Sequence, residues 1–315
     1  MIRCELDGLP IPDDSGTLYR STISGQGHQC GHDGHMAIVF GVAHHLAERR
    51  PARGRTVLLF QPAEEDGSGA AAVLADPAFA TIAPDWAFAL HNTPGLPLGH
   101  VSVAPDPANC ASRGLHILLS GRTAHASRPH EGLAPTLAVA ELLSALTALG
   151  ADEDVTDPAF RLVTVTHARL GEPTYGVAPG LAEVRTTLRT LRDEAMQGLV
   201  ADVAALLAET AARHGLGLAT EDADVFVHCD NHPNAARILA AAADDIGVPR
   251  GTRGLPMRGS EDFSRFGAQA KSAMFLLGSG DDHPGLHSPD YNFPDDRIPI
   301  GLAMFMAVID AVLED

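Results

Sequence analysis

Positive charge is in short supply in this chain. There are 22 Lys and Arg against 40 Asp and Glu, for a net charge of −18. A nucleic-acid partner needs a basic surface to neutralise phosphate, so that class is excluded. Cysteine is scarce as well. Cys4, Cys30, Cys110 and Cys229 are scattered and form no Cys-x-x-Cys pair, which argues against a disulfide framework. No apolar run reads as long enough to span a bilayer, so no membrane partner is expected. The stretch from Met1 to Asp7 lacks the apolar segment of a secretory signal. The cytoplasm is the expected compartment. There is no internal repeat and no low-complexity tract. At 315 residues and 45% hydrophobic content, the chain has the composition of a folded protein and the length for two domains.

What the sequence does have is one dense cluster, Gln29-Cys30-Gly31-His32-Asp33-Gly34-His35. It puts a thiol, two imidazoles and a carboxylate into seven residues. In an extended segment Cys30 and His32 leave on the same side, which suits two ligands to one metal. Thiolate with imidazole favours a transition metal such as zinc over calcium or magnesium. Gly31 and Gly34 allow close backbone approach or positive φ.

Around this cluster the pattern alternates. Residues 2–7 read as a strand, 33–50 as a helix with Ile38, Val39, Val42 and Leu46 on one face, and 55–60 as a buried strand. A Gly/Ala-rich helix over 67–76 and a strand over 86–90 follow. Alternating strands and helices predict an α/β fold with a mainly parallel sheet. Ligands collect outside the carboxyl ends of such strands, and Glu64, Glu65 and His91 fall there. A second pattern follows: strand 113–121, helix 134–149, strands 160–171 and 180–190, helix 192–214 and strand 217–227. That βαββαβ order is the ferredoxin-like split unit. It is expected as a domain over 112–227, inserted between catalytic segments 1–111 and 228–315. The first pattern resumes with helix 231–246, strand 272–277 and helix 298–313.

Glu64-Glu65 is the second informative pair. On extended backbone the two side chains point opposite ways, so one carboxylate could ligate a metal while the other exchanges a proton with water. His91 and His287 each read equally well as a metal ligand or as a hydrogen-bonded histidine. The donor-rich loop from Gly121 to His130 holds Arg122 and His125, either of which could stabilise an oxyanion or simply face solvent. Gly259-Ser260-Glu261-Asp262-Phe263 reads as a helix cap with acids in the first turn, or as a contact to substrate or to a ligand. His35 reads as structural, His44 and His45 as surface, and Cys4, Cys110 and Cys229 as packing residues.

Taken together and in order, Cys30 to His35, Phe60-Gln61-Pro62-Ala63-Glu64-Glu65, Leu90-His91-Asn92, Gly121 to His130, Gly259 to Phe263 and Leu286-His287-Ser288 resemble the M20 metallopeptidases. The similarity is to the amidohydrolase branch, which includes hippurate hydrolases and auxin-amino acid conjugate hydrolases, and it covers essentially the whole chain. The resemblance implies hydrolysis of N-acyl amino acids or similar small amides. It implies two divalent metal ions, zinc or manganese with cobalt or nickel as alternatives, held by Cys30, His32, Glu65, His91 and His287. Glu64 would be the general base and acid. His125 would steady the oxyanion in a neighbouring subunit's site, within a homodimer formed through the lid domain. Asp7 would orient a histidine ligand. Asp33, Arg122 and Glu261 are further candidates for support or substrate contact.

Three departures from the family pattern stand out. Members carry a helical segment before the strand that here starts at Ile2. Asp-Met-Asp-Ala-Leu-Pro is here Glu5-Leu6-Asp7-Gly8-Leu9-Pro10. The lid's Asn-Val-Ile-Pro is here Gly176-Val177-Ala178-Pro179, without the Asn that would contact a substrate carboxylate. Two competing readings are an M20-type dipeptidase or aminopeptidase and a non-catalytic metal-binding relative. The Cys30 cluster argues against the first and Glu64 against the second.

Overall fold

The computed structural model describes residues 1–150 and 154–313. The chain forms two units. One comprises Met1–Asn109, Cys229–Met257 and Glu261–Asp315; the other comprises Cys110–His228 and Arg258–Ser260.

The first unit is built on a six-stranded sheet. Strand β1 (Ile2–Glu5) lies between β2 (Leu58–Gln61) and β3 (Trp86–Pro94), parallel to both. The β2 ladder opens at Ile2↔Leu58, so that strand starts later than its β-rich sequence suggests. Lys271–Gly280 runs parallel to β3 on its other side, and Val101–Ser102 and Arg250–Gly251 complete the edge. The sheet is mainly parallel, as the alternation predicts, and both its faces are covered. Phe88 and Leu90 pack with Ile38, Val39 and Val42 of helix α1 (His32–Glu48) and with Met304, Phe305 and Val308. Ala87 and Ala89, alternating with them, face Phe79, Phe263 and Phe266.

Helix α1 meets the Ile298–Leu313 helix at Gly301, where an added Cβ would come within 2.5 Å of Ile38 Cδ1. Gly301→Val would gain at most about 0.5 kcal/mol of helix propensity. Overpacking costs about 1–3 kcal/mol, so a net loss is expected. It should appear as a lower urea midpoint with an unchanged m-value. An unchanged midpoint would mean that the two helices are not locked at this contact.

The second unit is a four-stranded antiparallel sheet in the order Gly217–Phe226, Ala111–Ser120, Leu181–Thr190, Arg161–Leu170. Helices Thr136–Ala148 and Asp193–Arg213 bury Leu142, Leu146, Leu199, Val203 and Leu207 against Ile117, Leu119 and Val184. Asp193–Arg213 is long and apolar enough to cross a membrane by length and composition only, and its Leu199, Val203 and Leu207 are buried in the core of this unit. Its alanines raise the hydropathy without making a continuous run of large residues. All four cysteines are free and buried.

Candidate metal centre

Four segments of the first unit bring the donors together. Gly31 caps α1 in a left-handed conformation with φ 86, so the chain turns sharply between Cys30 and His32. The two therefore converge from a turn and a helix start, not from the extended backbone that the spacing suggested. Cys30, His32 and His91 have ligand atoms within 4.8 Å of one another, and so do Cys30, Glu65 and His287, and His32, Glu64 and Glu65. Cys30 belongs to two of these groups. Glu64 and Glu65 also depart from the extended reading. Ala63 has φ 55 and the pair lies in a turn, which aims both carboxylates at His32. His91 lies within β3, not past its end. Lys271–Gly280 extends the ladder through His91↔Leu276 and Asn92↔Leu277. His287 has φ 62 and donates its backbone N–H to Gln29 O at 2.8 Å. Its Nε2 lies 3.6 Å from Glu65 Oε2.

Hydrogen bonds set the histidine tautomers. His32 Nδ1 donates to Asp7 O at 3.0 Å, and His91 Nδ1 donates to Asn92 O at 2.7 Å. Both turn Nε2 into the site. His91 Nε2 lies 3.5 Å from Cys30 Sγ. His32 Nε2 and Glu65 Oε1 are buried and make no hydrogen bond within the protein. Buried polar atoms are nearly always paired, so these two orphans fit a metal ion. Asp7 serves twice, since its carboxylate also accepts from Glu65 N–H at 2.9 Å.

The charge balance agrees. Burial pushes Glu64 well above the usual carboxylate range, and the nearby Glu261 adds to this. Burial likewise drives Cys30 well up, with Glu65 and Glu64 reinforcing it. Burial, then His35, brings His91 down to about 3, so its imidazole is neutral. For His32 burial opposes a charge, but Asp7 and the surrounding carboxylates outweigh it and raise the pKa to about 9. These shifts come from burying several acidic groups side by side, an arrangement that a bound cation would relieve.

The remaining candidates are placed as follows. Asp33 is exposed and accepts from Gly34 N–H in the first turn of α1. Arg122 and His125 belong to the second unit. Arg122 donates to Glu131 O at 2.8 Å, and His125 Nδ1 accepts from Ser127 N–H at 3.1 Å. Glu261 and Asp262 are not the solvated acids of a helix cap. Glu261 precedes the Asp262–Ala268 turn without a side-chain capping bond, and both acids are buried. Glu261 Oε1 lies 3.6 Å from His91 Nε2.

Sequence reasoning missed what neutralises them. Arg3 is 1% exposed. It binds Glu5, Glu261 Oε2 at 3.1 Å, Asp262 Oδ1 at 2.5 Å and Gln61 Oε1 at 3.1 Å. Two charged residues at i and i+2 in a strand whose neighbours read as buried were the available signal.

The sequence pattern of peptidase family M20/M25/M40 matches residues 1–311. The chain belongs to that family. It is 29% identical over 310 residues to an N-acetyldiaminopimelate deacetylase of Shouchella clausii, covering 98% of this chain and 82% of that one. It is 26% identical over 317 residues to an N-acetylcysteine deacetylase of Bacillus subtilis, covering 99% and 81%. Its fold is similar to that of a dinuclear metal-binding M20 peptidase of Bacillus subtilis. The TM-score is 0.78 at 24% identity, over 99% of this chain and 80% of that one.

Proposed function

We propose that this M20 chain hydrolyses the amide bond of N-acyl amino acids or similar small amides, at a centre holding two divalent metal ions. The convergence of Cys30, His32, Glu65, His91 and His287, with His32 Nε2 and Glu65 Oε1 left unpaired, carries this reading. We assign those five residues to the ions. Their thiolate, imidazole and carboxylate groups suit zinc or manganese, with cobalt or nickel as alternatives. Bound ions would polarise the amide carbonyl and make a water nucleophilic near neutral pH.

Glu64 moves the proton. It takes one from the attacking water and hands it to the departing amine. Its raised affinity for a proton, caused by burial and Glu261, lets it hold the proton between those two steps. Asp7 keeps His32 and Glu65 in place through its carbonyl and its carboxylate. The relatives named as deacetylases support a short acyl group in this reading.

We read the second unit as the ferredoxin-like lid, supported by its strand order, and as the surface through which a homodimer forms. His125 is our choice for steadying the oxyanion in a neighbouring subunit. Its Nδ1 accepts from Ser127, which puts the ring proton on Nε2, the form an oxyanion needs. A cytoplasmic location completes this reading.

The test is amine release from N-acetyl and N-benzoyl amino acids and from dipeptides, after chelation and again with zinc or manganese restored. Turnover should vanish on chelation, return with metal and favour the N-acyl substrates. Metal-independent turnover, or none from folded, metal-loaded protein, would overturn the proposal.

A further inference from the structure

One buried amide touches three of the segments that carry the proposed ligands. Asn92 is 0% exposed. Its backbone carbonyl accepts from His91 Nδ1 at 2.7 Å, fixing that ring on β3. Its side chain lies against Gly31, the residue between Cys30 and His32. A Cβ at Gly31 would come within 2.5 Å of Asn92 Oδ1 and 2.8 Å of Nδ2. Its Nδ2 donates to the Tyr291 hydroxyl. Tyr291 is four residues beyond His287 and is tied to that loop by its N–H bond to Ser288 O at 3.0 Å.

The amide is itself anchored from behind. His35 Nε2 lies 2.5 Å from Asn92 Oδ1 and 3.2 Å from Asn92 N. His35 Nδ1 donates to Glu5 Oε2 at 2.6 Å, and Glu5 binds Arg3. The relay Arg3–Glu5–His35–Asn92 is buried along its whole length. His35 comes from the second turn's start in α1, so it also ties the helix bearing His32 to β3.

We propose that Asn92 is the positioning residue of the metal centre, setting the Cys30/His32 turn, the His91 ring and the His287 loop in one arrangement. It ligates nothing itself. Partners that orient ligands typically govern metal affinity by about 10–100-fold, and one amide reaching three ligand segments belongs at the upper end. Gly31 follows from the same packing, because no side chain fits between its backbone and the Asn92 amide. This inference rests on the assignment of Cys30, His32, His91 and His287 as ligands.

The experiment compares wild type with Asn92→Ala, both stripped of metal and shown to be folded. Zinc affinity is measured by competition with a chromophoric chelator. The absorption spectrum of the cobalt-loaded protein reports coordination geometry. The variant should bind zinc about 10–100-fold more weakly, with altered cobalt bands. Equal affinity and an identical spectrum would overturn the inference, since a merely structural role would lower the metal-free melting temperature and leave both unchanged. If Asn92→Ala does not fold, Tyr291→Phe carries the test. Loss of that one hydrogen bond should weaken zinc about fivefold, and unchanged affinity would count against the proposal. Failure of wild type to bind zinc would instead defeat the ligand assignment.

Discussion

Glu64→Gln is expected to lower turnover by about 10²–10⁴-fold while metal binding stays at the wild-type level. That range is the usual contribution of a positioned general acid or base. Glutamine keeps the shape of the side chain and can still accept from Asp262 N–H, which lies 3.3 Å from Glu64 Oε1. It cannot take a proton from water or return one to an amine. Glu64 is 4% exposed, and burial followed by the charge of Glu261 raises its proton affinity. An amide removes that charge, so the variant should be no less stable than wild type. Turnover on an N-acetyl amino acid, set beside metal content, checks the claim. A metal-loaded variant with full turnover would remove Glu64 from the mechanism.

The second large effect is on stability. Arg3→Met is expected to destabilise the protein by about 3–5 kcal/mol, the usual result of removing one partner from a buried ion cluster. Methionine fills much of the volume, so the loss is electrostatic. Glu5, Glu261 and Asp262 would be left buried without the guanidinium that binds all three.

The pH dependence of that loss has a defined sign. In wild type, burial opposes the Glu5 charge, but Arg3 and His35 outweigh it and hold the carboxylate well below its usual range. Glu5 therefore contributes stability above the ordinary carboxylate range, and this is lost only as pH falls through its lower folded value. Without Arg3 the folded acids bind protons more readily than the unfolded ones. The deficit of the variant should then shrink as pH falls from neutral toward 5. Urea unfolding at both pH values measures it. A deficit that does not change with pH would place the effect in packing.

Much of the centre was legible because its residues are chemically unusual where they stand. A thiol, imidazoles and a carboxylate around Gly31, and paired acids after a β-rich run, announce metal chemistry. The alternation of strands and helices likewise gave the parallel sheet. What the sequence hid was set by tertiary pairing. His91 reads as lying past a strand over 86–90, yet the partner strand carries the ladder on to Pro94. Glu64 and Glu65 read as opposed, but positive φ at Ala63 turns both inward. Arg3 has partners more than 250 residues away in Glu261 and Asp262, and no local pattern reports such a contact. Asn92 is an ordinary polar residue in sequence. Its importance comes entirely from the three segments packed on it.

The central claim is that these side chains build a two-metal centre. The most direct measurement is the number of zinc or manganese ions retained per chain after equilibrium dialysis of folded protein. Two per chain, lost when His32 is replaced by alanine, is the predicted result. A folded wild-type chain that retains none, or whose retained metal is indifferent to His32, would contradict it.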